Sequence, residues 1–235
     1  MLSALLGIST NVGQLLFAIL TRRRDRLSLR SILAMFLLGV AVVIPVAALQ
    51  NALLGGSGNL AFGSALIVGI TEELAKGAVF IPFILRARRR SATGIDVADG
   101  IACAIAVAAG SAFIENLFAI AGGGNPLMRV VAGFGHMTDC VISATGVVSG
   151  MAAAERGDKA RAAACVLGGF AVAILLHAVW DSAFAVFYGL VFALPGAIML
   201  MPIASYLMYA YWIAVSVFGI CFTAHHYRKR SAANR

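Results

Sequence analysis

Residues 69–77 read GITEELAKG and lie inside an apolar run, residues 60–85, that is long enough to cross a bilayer. Two adjacent carboxylates and a lysine at that depth are costly to bury, so ionisable residues inside a membrane indicate a functional site. On a helix Glu72 and Lys76 share a face, and Glu73 lies about 100° further round the axis. All three side chains can therefore point into one polar interior. The structural alternative is an internal ion pair that holds the helices together.

The composition is typical of a polytopic membrane protein. Of the 235 residues, 61% are hydrophobic and only 12% are charged, and the mean hydropathy is +0.95. No linker or low-complexity segment marks a second domain, so residues 1–235 are expected to form a single transmembrane domain. We predict an all-α transmembrane bundle of about seven spans, near residues 2–21, 31–54, 59–85, 97–121, 130–154, 162–189 and 198–223.

Loops rich in basic residues alternate along the chain with loops that have almost none. Segments 22–30, 86–96, 155–161 and 224–235 carry 5, 4, 3 and 4 Lys and Arg, which is 16 of the 18 in the chain. The opposite loops carry only Arg129, and the remaining one is Lys76. The positive-inside rule therefore predicts an N-terminus outside and a C-terminus in the cytoplasm. Because topology accounts for the net charge of +8, no nucleic-acid partner is predicted.

Three later spans also carry polar or ionisable residues: Glu115 and Asn116 in span four, His136 and Asp139 in span five, and His177 and Asp181 in span six. Taken singly, each has an ordinary explanation as a hydrogen-bonded packing residue. Asp139 follows His136 by one helical turn and is expected to orient that ring or to pair with Lys76. Gly146 and Gly150 are expected to form a helix-contact motif rather than part of a site.

The predicted depths of these residues agree with one another. At ~1.5 Å per residue, the carboxylates and imidazoles lie in a band roughly 10–20 Å below the outer surface. Four helices contribute to the band, whereas unrelated packing residues would be scattered in depth. The pattern therefore predicts a water-filled site in the outer half of the membrane.

A band of this composition supports hydrolysis by either of two mechanisms. A carboxylate can take a proton from water while an imidazole stabilises the resulting oxyanion. Alternatively, two histidines and a carboxylate can hold zinc with one position open for water. No HExxH sequence is present, which excludes a zincin-type site. Both mechanisms remain open at this point.

Taken in order, these motifs resemble those of the PrsW intramembrane proteases, which belong to the superfamily of type II CAAX-prenyl proteases and bacteriocin-processing enzymes. The resemblance covers about residues 69–181, and the protease core is expected near residues 59–189. Any one motif is weak, but four in the right order are specific. The matching positions are Glu72-Glu73-x-x-Lys76, Asp99-Gly100 with Gly110 and Glu115-Asn116, His136 followed by Thr145-Gly146-x-x-x-Gly150, and His177-x-x-Trp180-Asp181.

The resemblance implies a role for each motif. Glu72 would activate water, and Glu73 would be its paired carboxylate. Glu115 stands where CAAX-type members have a histidine, and would assist the water or bind a metal. His177 and Asp181 would stabilise the oxyanion, although many relatives have asparagine at the second position.

The resemblance also implies His136 as the additional histidine of the PrsW branch. If the cofactor is zinc, the candidate ligands are Glu115, His136 and His177. Two positions depart from the family pattern: Ser111 replaces a usual phenylalanine, with Phe113 nearby, and Asp139 is an extra acid. Lys76, Asn116 and Asp139 are expected to support the catalytic residues.

By this resemblance the protein is an intramembrane endopeptidase of the bacterial cytoplasmic membrane. Its partners would be the lipid bilayer and a membrane-anchored protein substrate, of the class of anti-sigma factors cut in site-1-type signalling. Two alternatives are a non-catalytic membrane homologue and a proton-coupled transporter that uses the same acidic band. Transporters usually contain internal repeats, and the Glu-Glu-x-x-Lys motif has no counterpart in the later half of the chain.

Overall fold

The computed structural model describes residues 2–22, 27–55, 62–90, 97–124 and 126–192, together with positions 210, 214, 221 and 225. These residues form helices throughout and contain no strand, which confirms the prediction of an all-α fold. The predicted seventh span, near residues 198–223, lies outside the described residues apart from three single positions. The six helices are α1 (Leu2–Thr21), α2 (Leu29–Leu54), α3 (Phe62–Arg90), α4 (Val97–Ala121), α5 (Pro126–Glu155) and α6 (Lys159–Phe192).

Within the ranges just given, four segments are long and apolar enough to cross a membrane, which makes this an integral membrane protein. They are Leu29–Leu54, Val97–Ala121, Arg129–Glu155 and Lys159–Ser182. The apolar part of α1 is shorter, Gly7–Thr21. α3 is 29 residues long but carries three charges near its middle, so it is less apolar than its neighbours although it packs among them.

α4 is the central helix of the bundle. Residues 98–112 are all buried, and α1, α2, α3 and α5 pack around them. Most side chains in this stretch are alanine or glycine, so the neighbouring helices can approach closely from several directions. A helix that is apolar all round is expected to be buried in this way.

Glycines set the closest helix contacts. A Cβ added at Gly110 of α4 would lie 2.0 Å from the carbonyl oxygen of Phe36 in α2, and one at Gly146 of α5 would lie 3.0 Å from the Cα of Gly169 in α6. A Cβ at Gly150 would lie 2.8 Å from the Ala162 carbonyl oxygen. The structure thus confirms that Gly146 and Gly150 are helix-contact residues, as small residues in membrane helices often are.

The polar residues within α1 also face other helices. The side-chain amide of Asn116 in α4 donates a 2.9 Å hydrogen bond to Oδ1 of Asn11, and that of Gln14 donates a 2.9 Å bond to the Gly133 carbonyl in α5. Both α1 side chains are buried. Hydrogen bonds between membrane helices favour association because lipid offers no alternative partner, so these contacts attach α1 to α4 and α5.

Replacing Gly110 with valine is expected to destabilise the protein by at least about 1–3 kcal/mol, the usual cost of overpacking. The new side chain would collide with the backbone of α2, which cannot move aside as a flexible side chain would. Thermal unfolding in detergent measures the effect. The matched control is Gly168→Val, where an added Cβ meets nothing within 4 Å; equal destabilisation by both substitutions would contradict the packing described.

Candidate active site

The site begins with an ion-pair cluster in the middle of α3. Lys76 Nζ lies 3.2 Å from Glu72 Oε2 and 2.8 Å from Glu73 Oε1. The side chains of Glu73 and Lys76 are 0% and 2% exposed, whereas that of Glu72 is 14% exposed. The helix repeat brings all three together, because residues three and four apart share a face. Buried charges need such partners, since an unpaired one is strongly destabilising.

α5 contributes His136 to the cluster. Lys76 Nζ lies 3.0 Å from Nδ1 of this ring. A lysine side chain has donors only, so Nδ1 must accept and the ring proton must sit on Nε2. Nε2 lies 3.0 Å from Glu115 Oε2 in α4, so it donates to that carboxylate. One chain of polar contacts therefore joins α3, α5 and α4 and selects the tautomer of His136.

α6 contributes His177, whose two ring nitrogens face four carboxylates. Nδ1 lies 2.9 Å from Glu73 Oε1 and 3.6 Å from Asp139 Oδ2. Nε2 lies 3.4 Å from Asp181 Oδ2 and 3.6 Å from Glu72 Oε2. The ring is thus oriented by Glu73 on one side and presents its other nitrogen to the more exposed carboxylates.

Two glycines of α3 allow α6 to come close enough for this contact. A Cβ at Gly69 would lie 2.9 Å from the Ile174 carbonyl oxygen and 3.4 Å from the Cβ of His177. A Cβ at Gly77 would lie 2.5 Å from the ring of Phe170. These glycines flank the charged residues on either side, so the GITEELAKG stretch contains both the reactive groups and the space for the helix that meets them.

Most of the residues predicted for a site meet in one cluster, but two have different neighbours from those expected. Asp139 lies 3.6 Å from Nδ1 of His177, a partner that the sequence did not predict. Asn116 is buried away from the cluster: its amide donates to Asn11 Oδ1 and to the Arg129 carbonyl at 3.0 Å. The residues that do meet are Glu72, Glu73, Lys76, Glu115, His136, Asp139, His177 and Asp181.

The sequence interpretation missed Gln50 of α2. Its amide nitrogen lies 3.0 Å from Thr71 Oγ1 and 3.3 Å from Glu72 Oε1. The available signal was a pair of amide side chains, Gln50 and Asn51, shortly after Pro45 in an otherwise apolar span. Nothing in the sequence indicates that the Gln50 side chain faces Glu72.

A cavity of about 290 Å³ opens beside the cluster, between α2, α3 and α4, with Arg129 of α5 also in its wall. Glu72, Lys76 and Glu115 form part of its polar wall, and Val43 and Val46 of α2 form part of its apolar wall. Glu73 is fully buried behind Glu72. Of the two adjacent glutamates, Glu72 is therefore the one that water or a peptide in the cavity can reach.

The cluster also contains donor atoms suited to a metal ion. In the described part of the chain, two groups of three donor atoms lie within 4.8 Å of one another: Glu72, His136 and His177, and Glu73, Asp139 and His177. The first group combines two imidazoles with a carboxylate, which is a common zinc set. Glu115, a predicted ligand, belongs to neither group and instead contacts His136. The residues present thus fit a zinc ion.

A buried cluster of carboxylates and imidazoles, open to a cavity within an all-α membrane bundle, is the kind of site that hydrolysis inside a bilayer requires. The model of the PrsW family intramembrane metalloproteases matches residues 28–218, a range that contains all of α2–α6. The chain belongs to this family. Searches of the curated proteins and of the solved structures found no match.

We expect the purified protein to bind zinc at about one ion per chain, because two imidazoles and a carboxylate lie within reach of one another. His136→Ala and His177→Ala each remove a donor and should weaken zinc affinity at least about tenfold. Equilibrium dialysis with metal analysis measures this. The matched control is His225→Ala, an exposed histidine near the C-terminus. Folded wild-type protein that takes up no zinc would contradict the assignment.

Proposed function

We propose that this protein is an intramembrane endopeptidase that hydrolyses a peptide bond of a membrane-anchored protein, with Glu72 as the residue that activates water. One observation carries the proposal. Glu72 is the partly exposed member of a buried carboxylate–imidazole cluster, and it faces a cavity within the membrane bundle. Membership of the PrsW family supports the same activity.

In the first step Glu72 accepts a proton from a water molecule as the water oxygen attacks the scissile carbonyl carbon. Lys76 and Gln50 hold this carboxylate, at 3.2 Å and 3.3 Å respectively, so its orientation is set before substrate arrives. A positioned carboxylate typically accelerates such a proton transfer about 10²–10⁴-fold. In the second step the proton passes from Glu72 to the amide nitrogen as the carbon–nitrogen bond breaks.

His177 is suited to stabilise the oxyanion formed between these steps. Glu73 accepts a hydrogen bond from Nδ1–H and so orients the ring. In the doubly protonated ring, Nε2 also carries a proton and can donate it towards the side where Glu72 and Asp181 lie. Asp181 holds the same nitrogen at 3.4 Å. Donors fixed in advance and shielded from water contribute strongly to catalysis, because they need not reorganise during the reaction.

Zinc would be held by Glu72, His136 and His177, and its chemistry would be to acidify a water molecule and polarise the scissile carbonyl. Lys76 then has a second role, because its contact with Nδ1 of His136 competes for a nitrogen lone pair that a metal also needs. Glu115 keeps His136 oriented from the opposite nitrogen. With zinc bound, Glu72 and His177 would be ligands rather than the base and the oxyanion donor, so the metal-free and the zinc-dependent mechanisms are alternatives, and the dialysis experiment above distinguishes them.

We further propose a seven-span topology with the N-terminus outside, the C-terminus in the cytoplasm and the site in the outer half of a bacterial cytoplasmic membrane. The alternation of basic loops supports this orientation. Glu72 stands closer to the Phe62 end of α3 than to the Arg90 end, and Arg90 belongs to a basic segment. A site in the outer half suits single-span substrates of the anti-sigma-factor class.

Replacing Glu72 with glutamine should reduce cleavage at least about 100-fold, because the amide keeps the shape of the side chain but cannot accept the proton. Membrane proteomes of cells expressing wild type or the variant are compared for new N-termini next to transmembrane segments. Candidate substrates are then cleaved with purified protein. Glu155→Gln is the matched control, a carboxylate at the end of α5 that pairs with Arg88. Identical proteomes for wild type and Glu72→Gln would favour a non-catalytic homologue.

The topology is tested with alkaline phosphatase, which is active only outside the cytoplasm. A fusion after Gly124 should be active and one after Arg90 inactive, because the basic segment at the end of α3 is retained in the cytoplasm. The reverse pattern of activities would overturn the orientation and place the site in the inner half.

A further inference from the structure

The two halves of α2 are held to the bundle in different ways. In the N-terminal half, a Cβ at Gly39 would lie 2.3 Å from the Val107 carbonyl oxygen of α4. The Phe36 ring packs edge-on against Phe113, with ring centroids 5.8 Å apart. Backbone touches backbone here, so this half cannot separate from α4 without opening a void.

The C-terminal half, residues 46–54, has fewer buried residues. Its only buried residue is Val46, whereas Ile32, Met35 and Gly39 are buried in the first half. Leu49 and Leu53 are 49% and 56% exposed on the outside of the bundle. Few buried apolar contacts are a mark of a segment that separates from its neighbours at low cost.

Pro45 stands at the junction of the two halves. Proline has no amide hydrogen, so the carbonyl of Ala41 loses its usual partner within the helix, and the ring crowds that carbonyl. Bends in long helices concentrate at such positions. A rotation of residues 46–54 about this point would leave the tight contact with α4 undisturbed.

One side chain ties the loose half to the reacting groups. Gln50 donates to Thr71 Oγ1 and to Glu72 Oε1 of α3, and it is the polar contact between residues 46–54 and α3 among the described residues. This contact joins the α2 wall of the cavity to α3. Breaking it would release the wall and, at the same moment, free one oxygen of Glu72.

The cavity behind this wall suits a stretch of unwound peptide. Its α2 side is built from Val42, Val43, Val46 and Ala47, and its opposite side includes Glu72 and Glu115. An apolar substrate side chain would meet the valines while the peptide backbone faces the polar wall of Glu72, Lys76 and Glu115. At about 290 Å³ the cavity holds a few side chains but not a helix about 10 Å across, so a membrane-embedded substrate needs the wall to move.

We propose that residues 46–54 of α2 form a lateral gate that turns about Pro45 and that Gln50 holds closed. The cavity behind this gate binds the unwound segment of the substrate around a branched apolar side chain. The identity of what passes through the gate rests on the proposed protease function. The movement of α2 does not, so it is measured without any substrate.

The first experiment measures gate opening as a distance between two spin labels, by pulsed electron–electron double resonance. The four native cysteines are first replaced by alanine. Labels at Leu53 and Leu74, both exposed, report on the gate. Labels at Leu33 and Leu85, also exposed, report on the fixed half. Gln50→Leu removes both hydrogen bonds, so a longer-distance population should grow about threefold to tenfold for the first pair. It should not grow for the second pair. An unchanged distribution for the first pair would overturn the gate.

The second experiment locks the gate. The amide of Gln50 reaches Thr71 Oγ1 at 3.0 Å, and a cysteine is two heavy atoms shorter than glutamine, so the thiols of Gln50→Cys and Thr71→Cys are joined by a short bis-methanethiosulfonate reagent. Cross-linking of this double variant should reduce cleavage of a membrane substrate at least about tenfold, with recovery on reduction. Each single cysteine variant, given the same reagent, is the control for effects on the neighbouring Glu72.

The outcomes separate the two proposals. If wild type cleaves and the cross-linked double variant cleaves as fast as the reduced one, the gate is wrong and the protease function stands. If wild type cleaves no substrate while Gln50→Leu opens the labelled pair, the protease function fails and the gate stands.

Substitutions in α2 test the apolar subsite of the cavity. Val46→Phe should impair cleavage, whereas Ile44→Phe, at a 68% exposed position on the same helix, should not.

Discussion

The buried ammonium group of Lys76 is the constraint on which the rest of the structure depends. A cation at this depth in a membrane bundle is tolerated only if anions and acceptors surround it. Glu72 and Glu73 supply the anions from the same helix, and His136 supplies an acceptor from α5. The lysine therefore fixes the rotamers of both glutamates and the tautomer of a histidine at once, before any substrate or metal is present.

The cluster holds the bundle together, and the same contacts suit the reaction that we propose for it. The contacts of Lys76 and Glu73 hold α3 to α5 and α6, as an internal ion pair would. Yet the groups at its edge, Glu72 and Asp181, keep 14% and 25% of their side-chain surface exposed. A purely structural cluster gains nothing from this exposure, because water screens the pairing. The gradient from a buried centre to an accessible edge is what a site for hydrolysis needs.

Much of the helical arrangement could be predicted from local sequence. Apolar runs bounded by arginine clusters located the spans, and the spacing within GITEELAKG put three charged groups on adjoining faces. The contact roles of Gly146 and Gly150 also followed from spacing. The partner of Asp139, the separation of Asn116 from the cluster and the contact of Gln50 with Glu72 did not. Each depends on which helix lies opposite a given face, and this is a property of the packed bundle.

The sequence by itself determined the class of the protein. It set the membrane helices, the charged residues within them, and a motif order specific enough to indicate the PrsW family, since length, hydropathy and residue spacing are local properties of the chain. Only the tertiary structure decided which glutamate faces a cavity, which carboxylates surround His177, and that α2 lines the cavity beside Glu72. Those facts arise where helices distant in sequence meet at glycines, and the distances between their side chains exist only once the helices are packed.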